Sequence, residues 1–204
     1  MSQLSQAEAR EYLKEHNVLR ESGHYVYTSG KHGDTYLNKD ALLPHVELVS
    51  EICKQIAAEF VGQNVEAVLG PVAGGVVLSQ WTAHHLGKLE GREVLAVYAD
   101  KRKTEGEFII RRGYDEMVRG KRVLLVDDII NQGSSLRGLQ REAARIECEV
   151  VGVGCLCNRY ESTAEDFGVP KLYSYIEFKL NIFEPSGCPL CEQGVPMSKG
   201  LGHA

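Results

Sequence analysis

The chain has 204 residues, of which 43% are hydrophobic and 25% charged, as in an ordinary globular protein. Its formal net charge of -5 argues against a nucleic-acid-binding protein, because such proteins usually present a basic face. Its apolar runs are shorter than the ~18 residues of a membrane span, and its polar start lacks the apolar core of a signal peptide. We therefore expect one cytoplasmic domain over 1–204.

Predicted helices and strands alternate along the chain. An amphipathic helix is predicted over 6–17, and the aromatic residues at 25–36 around Ser29 and Gly30 favour a hairpin or an extended hood. The later elements are helix 44–60, strand 67–69, helix 75–86, strand 94–98, a charged loop or hairpin at 100–112, strand 123–126, a helix from about 135 to 146 and strand 150–156. This order predicts an α/β fold, doubly wound around a parallel sheet.

Polar loops follow four of these strands, at 70–75, 98–103, 127–135 and 158–159. Ligands of such sheets bind at the carboxyl ends of the strands. The four loops therefore predict one ligand site at a single edge of the sheet.

The loop at 127–135 has the most informative pattern. A strand predicted to be buried on both faces ends at Asp127 and Asp128, and a polar stretch through Gly133 leads to two hydroxyls at a predicted helix start. Carboxylates accept hydrogen bonds from sugar hydroxyls, and the N–H groups of a helix N-terminus bind phosphate. The pattern indicates a sugar-phosphate site, with an acidic turn before a helix cap as the alternative.

Residues 123–135 resemble the phosphoribosyl-diphosphate motif of type I phosphoribosyltransferases. The resemblance implies that the acid pair holds the ribose hydroxyls and that the following loop cradles the 5-phosphate. The donor-binding residues implied here are Asp127, Asp128, Ile129, Ile130, Asn131, Gln132, Gly133, Ser134 and Ser135. The implied fold has a mainly parallel central sheet flanked by helices, a small hood at about 1–40 joined by the tail at 177–204, and a core at about 41–176.

A second glycine-rich segment resembles the diphosphate-binding loop of the same family. Its implied donor-binding residues are Gly70, Val72, Ala73 and Gly74. Glycine lets the backbone approach a ligand closely, although a purely structural turn would also use glycine here.

A basic run, Lys101, Arg102 and Lys103, lies on a predicted mobile loop. Its cations would stabilise the charge that develops on a departing diphosphate, although charge runs are often only solvated surface. The resemblance implies catalytic roles for Lys101 and Lys103, together with the two carboxylates Asp127 and Asp128.

Three other segments resemble orotate phosphoribosyltransferases, in particular their longer bacterial and archaeal subgroup. They are 29–38, 106–114 and 188–196. The orotate-binding residues implied are Tyr36, Leu37, Asn131 and Arg159. A guanidinium suits a carboxylate because it offers a planar fork of donors, although an ion pair with Glu161 is the alternative for Arg159.

The resemblance implies transfer of a 5-phosphoribosyl group from phosphoribosyl diphosphate to orotate. It further implies Mg²⁺, which Asp127 and Asp128 would meet through water, and a homodimer whose basic loop serves the neighbouring subunit. Two alternatives stay open, a transferase for another nucleobase and a non-catalytic regulator that binds phosphoribosyl diphosphate.

The chain departs from the family pattern at a few positions. Asn131 and Gln132 stand where threonine followed by threonine or alanine is usual, Gly74 and Thr28 stand where a cation is common, and Asn158 replaces an aspartate. Together these changes lose or neutralise three polar contacts, each worth ~1–3 kcal/mol.

Six cysteines are present, and disulfides are not expected without a secretory context. Cys188 and Cys191 form a C-x-x-C pair, but a closed zinc site needs four ligands. No second cysteine pair has zinc spacing. A structural zinc or a redox pair therefore remains an open alternative at the tail.

Overall fold

The computed structural model describes residues 5–27, 29–104, 106–159 and 161–198. The chain forms two compact units, a first unit of Met1–Pro44 with Phe178–Ala204 and a second unit of His45–Glu177. Within the described ranges, we find no helix with the length and apolar character that a membrane crossing requires.

The longer helices and strands lie close to their predicted positions, and shorter elements lie between them. The helices are α1 (Gln6–Glu15), α2 (Lys39–Leu42), α3 (Val46–Glu59), α4 (Gly74–Glu90), α5 (Tyr114–Val118), α6 (Ser134–Arg145) and α7 (Pro189–Glu192). The strands are β1 (Leu19–Arg20), β2 (Tyr25–Val26), β3 (His32–Gly33), β4 (Tyr36–Leu37), β5 (Ala67–Pro71), β6 (Leu95–Lys101), β7 (Phe108–Ile109), β8 (Arg122–Ile130), β9 (Glu149–Asn158), β10 (Leu172–Glu177) and β11 (Ile182–Phe183).

The second unit is built on a six-stranded sheet of order β10-β9-β8-β5-β6-β7. The first five of these strands are parallel, and the short β7 pairs antiparallel with β6. The predicted mainly parallel sheet with flanking helices is thereby confirmed.

Both faces of this sheet are covered, as the continuous apolar runs predict. Leu125 packs in a buried cluster with Leu136 and Leu139 of α6. On the other face, Gly154 leaves room for α3, since a Cβ there would lie 2.5 Å from Ile56 Cγ2. The alternation of side chains along each strand thus assigns α6 to one face and α3 to the other.

Two features differ from the sequence-based expectation. Strand β8 continues past Val126 to Ile130, because Ile129 and Ile130 stay paired with β9. The acid pair therefore lies within the strand and not in the loop after it. The edge strand β10 and the short elements α2, α5, α7, β1, β4 and β11 were not predicted, since each is too short to give a clear periodicity.

Among its described residues, the first unit has three α-helices, α1, α2 and α7, and two small sheets. A capping box between Ser5 and Glu8 starts α1. Strand β1 pairs with β4, and a separate three-stranded sheet has the order β11-β3-β2. Gly30, with a φ of 79°, forms the turn of the predicted hairpin. Since β11 comes from the tail, one sheet joins the two ends of the chain.

Candidate functional site

Four neighbouring strands, β9, β8, β5 and β6, bring their carboxyl ends to the same edge of the sheet. Pairing between β5 and β8 ends at Leu69 and Leu125, whereas β8 stays paired with β9 as far as Ile130. Strands β5 and β8 therefore separate beyond Leu125, and the acid pair lies at this opening between them.

The two carboxylates are nearly buried, with Asp127 6% and Asp128 8% exposed. Asp127 Oδ1 accepts a 2.8 Å hydrogen bond from the Asp128 backbone N–H. Successive residues of a strand point to opposite faces. The two side chains are thus directed toward opposite faces of the sheet.

The loop after β5 closes against this acid pair. A Cβ on Gly74 would lie 2.3 Å from Asp128 Oδ2, and a Cβ on Gly70 would lie 2.1 Å from Gly75 O. The Val72 N–H donates a 3.1 Å hydrogen bond to Ala99 O, and the Val72–Ala73 peptide is cis. Helix α4, 17 residues long, begins here and directs its N-terminal N–H groups toward the same opening.

The loop after β8 leads to the N-terminus of α6. Gly133 has a φ of 72°, and a Cβ there would lie 2.5 Å from the Phe167 ring. Both the backbone conformation and the lack of space for a side chain therefore favour glycine. Ser134 and Ser135 begin the helix. Asn131 and Gln132 are exposed. The Arg137 side chain donates a 2.5 Å hydrogen bond to Gln132 O, which holds the loop in a turn.

Arg102 and Lys103 lie on the connection between β6 and β7, whereas Lys101, which was predicted on the loop, is the last residue of β6 and pairs with Phe108. Lys101, Arg102 and Lys103 are all exposed. A surface cleft is lined by these three cations together with Thr104, Glu107, Ile109 and Arg111. Four cations against one carboxylate make this cleft suited to polyphosphate. Arg111 was not among the predicted site residues, although it belongs to the segment 106–114 that carries the orotate-branch resemblance.

Glu142 of α6 anchors the base of this hairpin. It is buried and accepts a 2.7 Å hydrogen bond from the Ile110 N–H. The Arg145 guanidinium donates a hydrogen bond of 2.8 Å to each of its two carboxylate oxygens. Burial alone would raise the pKa of Glu142. The Arg145 guanidinium, the Ile110 N–H and the charge of Arg102 all lower this pKa, and together they outweigh the effect of burial. The pKa of Glu142 is therefore below its ordinary value, and the carboxylate is charged at neutral pH.

Arg159 follows β9 and lies beside the loop after β8, since its N–H donates a 3.0 Å hydrogen bond to Ile130 O. The Arg159 guanidinium also lies near the Cys157 thiol and lowers its pKa, but burial has the larger effect and raises that pKa to about 12. Asn158 donates a 2.8 Å hydrogen bond to Ser162 O and accepts a 3.1 Å one from the Ser162 N–H. An ionised aspartate could not donate the first of these.

The two remaining orotate candidates belong to the first unit. Tyr36 and Leu37 form β4, where they pair with Arg20 and Leu19. Tyr36 also contacts the Tyr25 ring, with centroids 5.6 Å apart. Thr28 lies outside the described residues. The residues predicted to bind the ribosyl donor all belong to the second unit.

Residues 38–193 match the phosphoribosyl transferase domain family. The chain is 32% identical over 177 residues to an orotate phosphoribosyltransferase of Caldanaerobacter subterraneus subsp. tengcongensis, covering 87% of each protein. It is 33% identical over 187 residues to the Caldicellulosiruptor bescii protein of the same name, covering 92% of each.

Solved structures show the same fold. An orotate phosphoribosyltransferase of Mycobacterium tuberculosis superposes with a TM-score of 0.64 at 20% identity, covering 85% of this chain and 96% of that one. An adenine phosphoribosyltransferase of Thermoanaerobacter pseudethanolicus gives 0.60 at 17% identity, covering 82% and 99%. At these identities the likeness concerns the fold alone.

Fold and domain match together define the chain as a phosphoribosyltransferase of type I. Within that class, its relatives at 32% and 33% identity over most of their length show that it belongs to the orotate phosphoribosyltransferase family.

Proposed function

We propose that this protein transfers the 5-phosphoribosyl group of phosphoribosyl diphosphate to orotate, forming orotidine 5-phosphate and diphosphate in pyrimidine biosynthesis. The observation that carries the proposal is the buried acid pair Asp127–Asp128, set between two loops that each lead into a helix N-terminus. The membership of the chain in the orotate branch supports the choice of base.

In this proposal the donor lies along the open edge of the sheet. Asp127 and Asp128 accept hydrogen bonds from the ribose hydroxyls, and residues 129–135 bind the 5-phosphate with backbone N–H groups at the start of α6. Residues 70–74 hold the diphosphate at the start of α4. Catalysis of this kind depends on positioning and electrostatics, since the ribosyl group develops positive charge as the diphosphate leaves.

The basic loop supplies the cations for the departing group. Lys101, Arg102 and Lys103 extend the positive charge of the cleft that Arg111 also lines. Closure of this loop over bound substrates would also exclude water, which would otherwise hydrolyse the activated ribosyl group.

The donor set at the acid pair suits Mg²⁺, because two nearly buried carboxylates offer the hard oxygen ligands that this ion prefers. Asp127 and Asp128 would hold the ion mostly through its water ligands. When bound, it would neutralise part of the charge on the diphosphate. The carboxylates themselves keep the ribose hydroxyls oriented.

For the acceptor, we propose that the Arg159 guanidinium binds the orotate carboxylate and that Asn131 contributes an amide contact. Tyr36 and Leu37 would read the ring edge with backbone groups. We further propose a homodimer in the cytoplasm, in which the loop at 101–103 serves the neighbouring subunit's site.

The test is a steady-state measurement of diphosphate release from the full chain, with orotate, uracil, hypoxanthine or adenine as acceptor, with and without Mg²⁺. We expect orotate-dependent release that requires the metal. The variant D127N should lose about 10–100-fold in kcat/KM, the size expected for a hydrogen bond to a charged group, whereas D115N on α5 should not.

Two results would overturn this proposal. Turnover of a purine without turnover of orotate would indicate a transferase for another base. Binding of phosphoribosyl diphosphate without turnover of any base would indicate a regulator.

A further inference from the structure

Four side chains with metal-binding atoms converge in the first unit. His24 precedes β2, His32 lies in β3, Cys188 is the residue before α7 and Cys191 lies within α7. One donor atom from each residue lies within 4.8 Å of all the others. No step of the proposed transfer reaction uses any of them.

The distances between these donor atoms match a tetrahedral metal site. His24 Nε2 lies 3.0 Å from His32 Nδ1 and 3.7 Å from the sulfurs of Cys188 and Cys191, and Cys191 Sγ lies 3.2 Å from His32 Nδ1. Tetrahedral zinc bonds to nitrogen and sulfur would separate two nitrogens by about 3.3 Å and a nitrogen from a sulfur by about 3.6 Å.

A second contact orients His24 as a ligand. His24 Nδ1 lies 2.8 Å from Val195 O, and because a carbonyl only accepts, the ring proton is on Nδ1. The lone pair of Nε2 is then directed at the cluster. Such a hydrogen bond from the outer ring nitrogen is the usual support of a metal-bound histidine. The lone pair of His24 Nε2 can accept only one hydrogen bond, although three other polar atoms lie close to it. A cation at the centre of the cluster would contact all four metal-binding atoms at once.

We propose that His24, His32, Cys188 and Cys191 form a structural zinc site. Two sulfurs and two imidazoles favour zinc over Mg²⁺, which prefers oxygen. His24, His32 and Cys188 are 1%, 8% and 1% exposed. Four protein ligands leave no open coordination position, as in structural sites and unlike catalytic ones.

The zinc would crosslink the two ends of the chain. Its ligands come in pairs, His24 and His32 from the β2–β3 hairpin and Cys188 and Cys191 from the tail, and Cys191 is 159 positions from His32. The strands they flank are only 2 residues long. Such a crosslink would stabilise the small sheet, because short strands bury little apolar surface.

Metal analysis of the purified full chain tests the site directly. We expect one equivalent of zinc per chain. After removal of the metal under reducing conditions, Co²⁺ should bind with the same stoichiometry and give the visible absorption of tetrahedral sulfur and nitrogen ligation. A chelator should lower Tm by about 5–10 °C, the shift expected for loss of a ligand held well above its dissociation constant.

The variant C191S should lose both the zinc and the effect of the chelator. Its matched control is C148S, which changes a half-buried cysteine of the second unit whose sulfur contacts Val118 O. That variant should keep one equivalent of zinc.

The proposal is overturned if the reduced wild-type chain binds neither zinc nor Co²⁺ stoichiometrically. It is equally overturned if C191S keeps its zinc. A Cys188–Cys191 disulfide, found by mass spectrometry of an unreduced digest and followed by no metal binding on reduction, would assign the pair a redox role instead. The Co²⁺ titration uses the wild-type chain, so its result is valid even if the C191S variant folds poorly.

Discussion

Gly74 lies directly against Asp128, so that a Cβ at position 74 would fall 2.3 Å from Asp128 Oδ2. The loop after β5 and the acid pair of β8 therefore meet with no side chain between them. This contact also accounts for a departure from the family pattern. A lysine or arginine at position 74 would have to displace the Asp128 carboxylate.

The first prediction concerns this contact. The variant G74A should lower kcat/KM for phosphoribosyl diphosphate by about 10–100-fold, because a small displacement of Asp128 misplaces the ribose hydroxyls. Steady-state kinetics at saturating orotate measure the effect, and circular dichroism checks the fold.

The control for that variant is G187A, since a Cβ on Gly187 would meet nothing within 4 Å and this glycine lies in the first unit. It should keep the wild-type kinetics. Wild-type kinetics in G74A would argue against close contact between the two loops in the working enzyme.

The second prediction separates the two substrates. The variant R159A should raise the KM for orotate about 10–100-fold, the loss expected for a charge-assisted hydrogen bond to a carboxylate. The affinity for phosphoribosyl diphosphate, measured by calorimetry without orotate, should stay unchanged.

R159K should rescue little, because an ammonium group lacks the planar fork of donors. The control R119A removes an exposed arginine that forms an ion pair with Glu116, three positions away, and should behave as wild type. Equal loss of affinity for both substrates in R159A would contradict a specific role with orotate.

Much of the second unit could be predicted from the sequence, because its strands are apolar on successive residues and alternate with amphipathic helices. That pattern requires a parallel sheet covered on both faces, and the ligand edge follows from the sheet. The close contact of Gly74 with Asp128 could not be predicted. It depends on where β5 and β8 stop pairing, which no local pattern records.

The cluster in the first unit shows the opposite case. The C-x-x-C pair was visible in the sequence, but its partners His24 and His32 have no zinc-type spacing and lie far away along the chain. The pairing of β11 with β3 and the isolated bridge between Tyr25 and Ser198 bring the tail to the hairpin. Ligands that depend on such long-range pairing give no signal in spacing.

The third prediction tests the shared loop. A variant with alanine at Lys101, Arg102 and Lys103 and the variant D128N should each be nearly inactive alone. Dimers reassembled from an equal mixture should regain about a quarter of wild-type activity, because each mixed dimer then contains one intact site. Activity of the reassembled mixture is compared with that of each variant reassembled by itself. No recovery in mixtures shown to contain mixed dimers would mean that the loop serves its own subunit.

The fourth prediction concerns the buried Glu142, whose carboxylate satisfies the Ile110 N–H and the Arg145 guanidinium. E142Q should lower the free energy of unfolding at pH 7 by about 1–3 kcal/mol, or Tm by about 2–10 °C, because the charge-assisted bonds are lost. E116Q, which removes an exposed partner of Arg119, should leave Tm unchanged.

The same pair of variants predicts a pH dependence. The folded pKa of Glu142 is lowered from its ordinary value of 4.5, so its contribution to stability is present above that value and is lost as the pH falls through the folded pKa. The difference in Tm between wild type and E142Q should therefore be constant from pH 7 down to about 5 and shrink below about 4.5. A difference that stays constant to lower pH would mean that packing, and not the charge of Glu142, anchors the hairpin to α6.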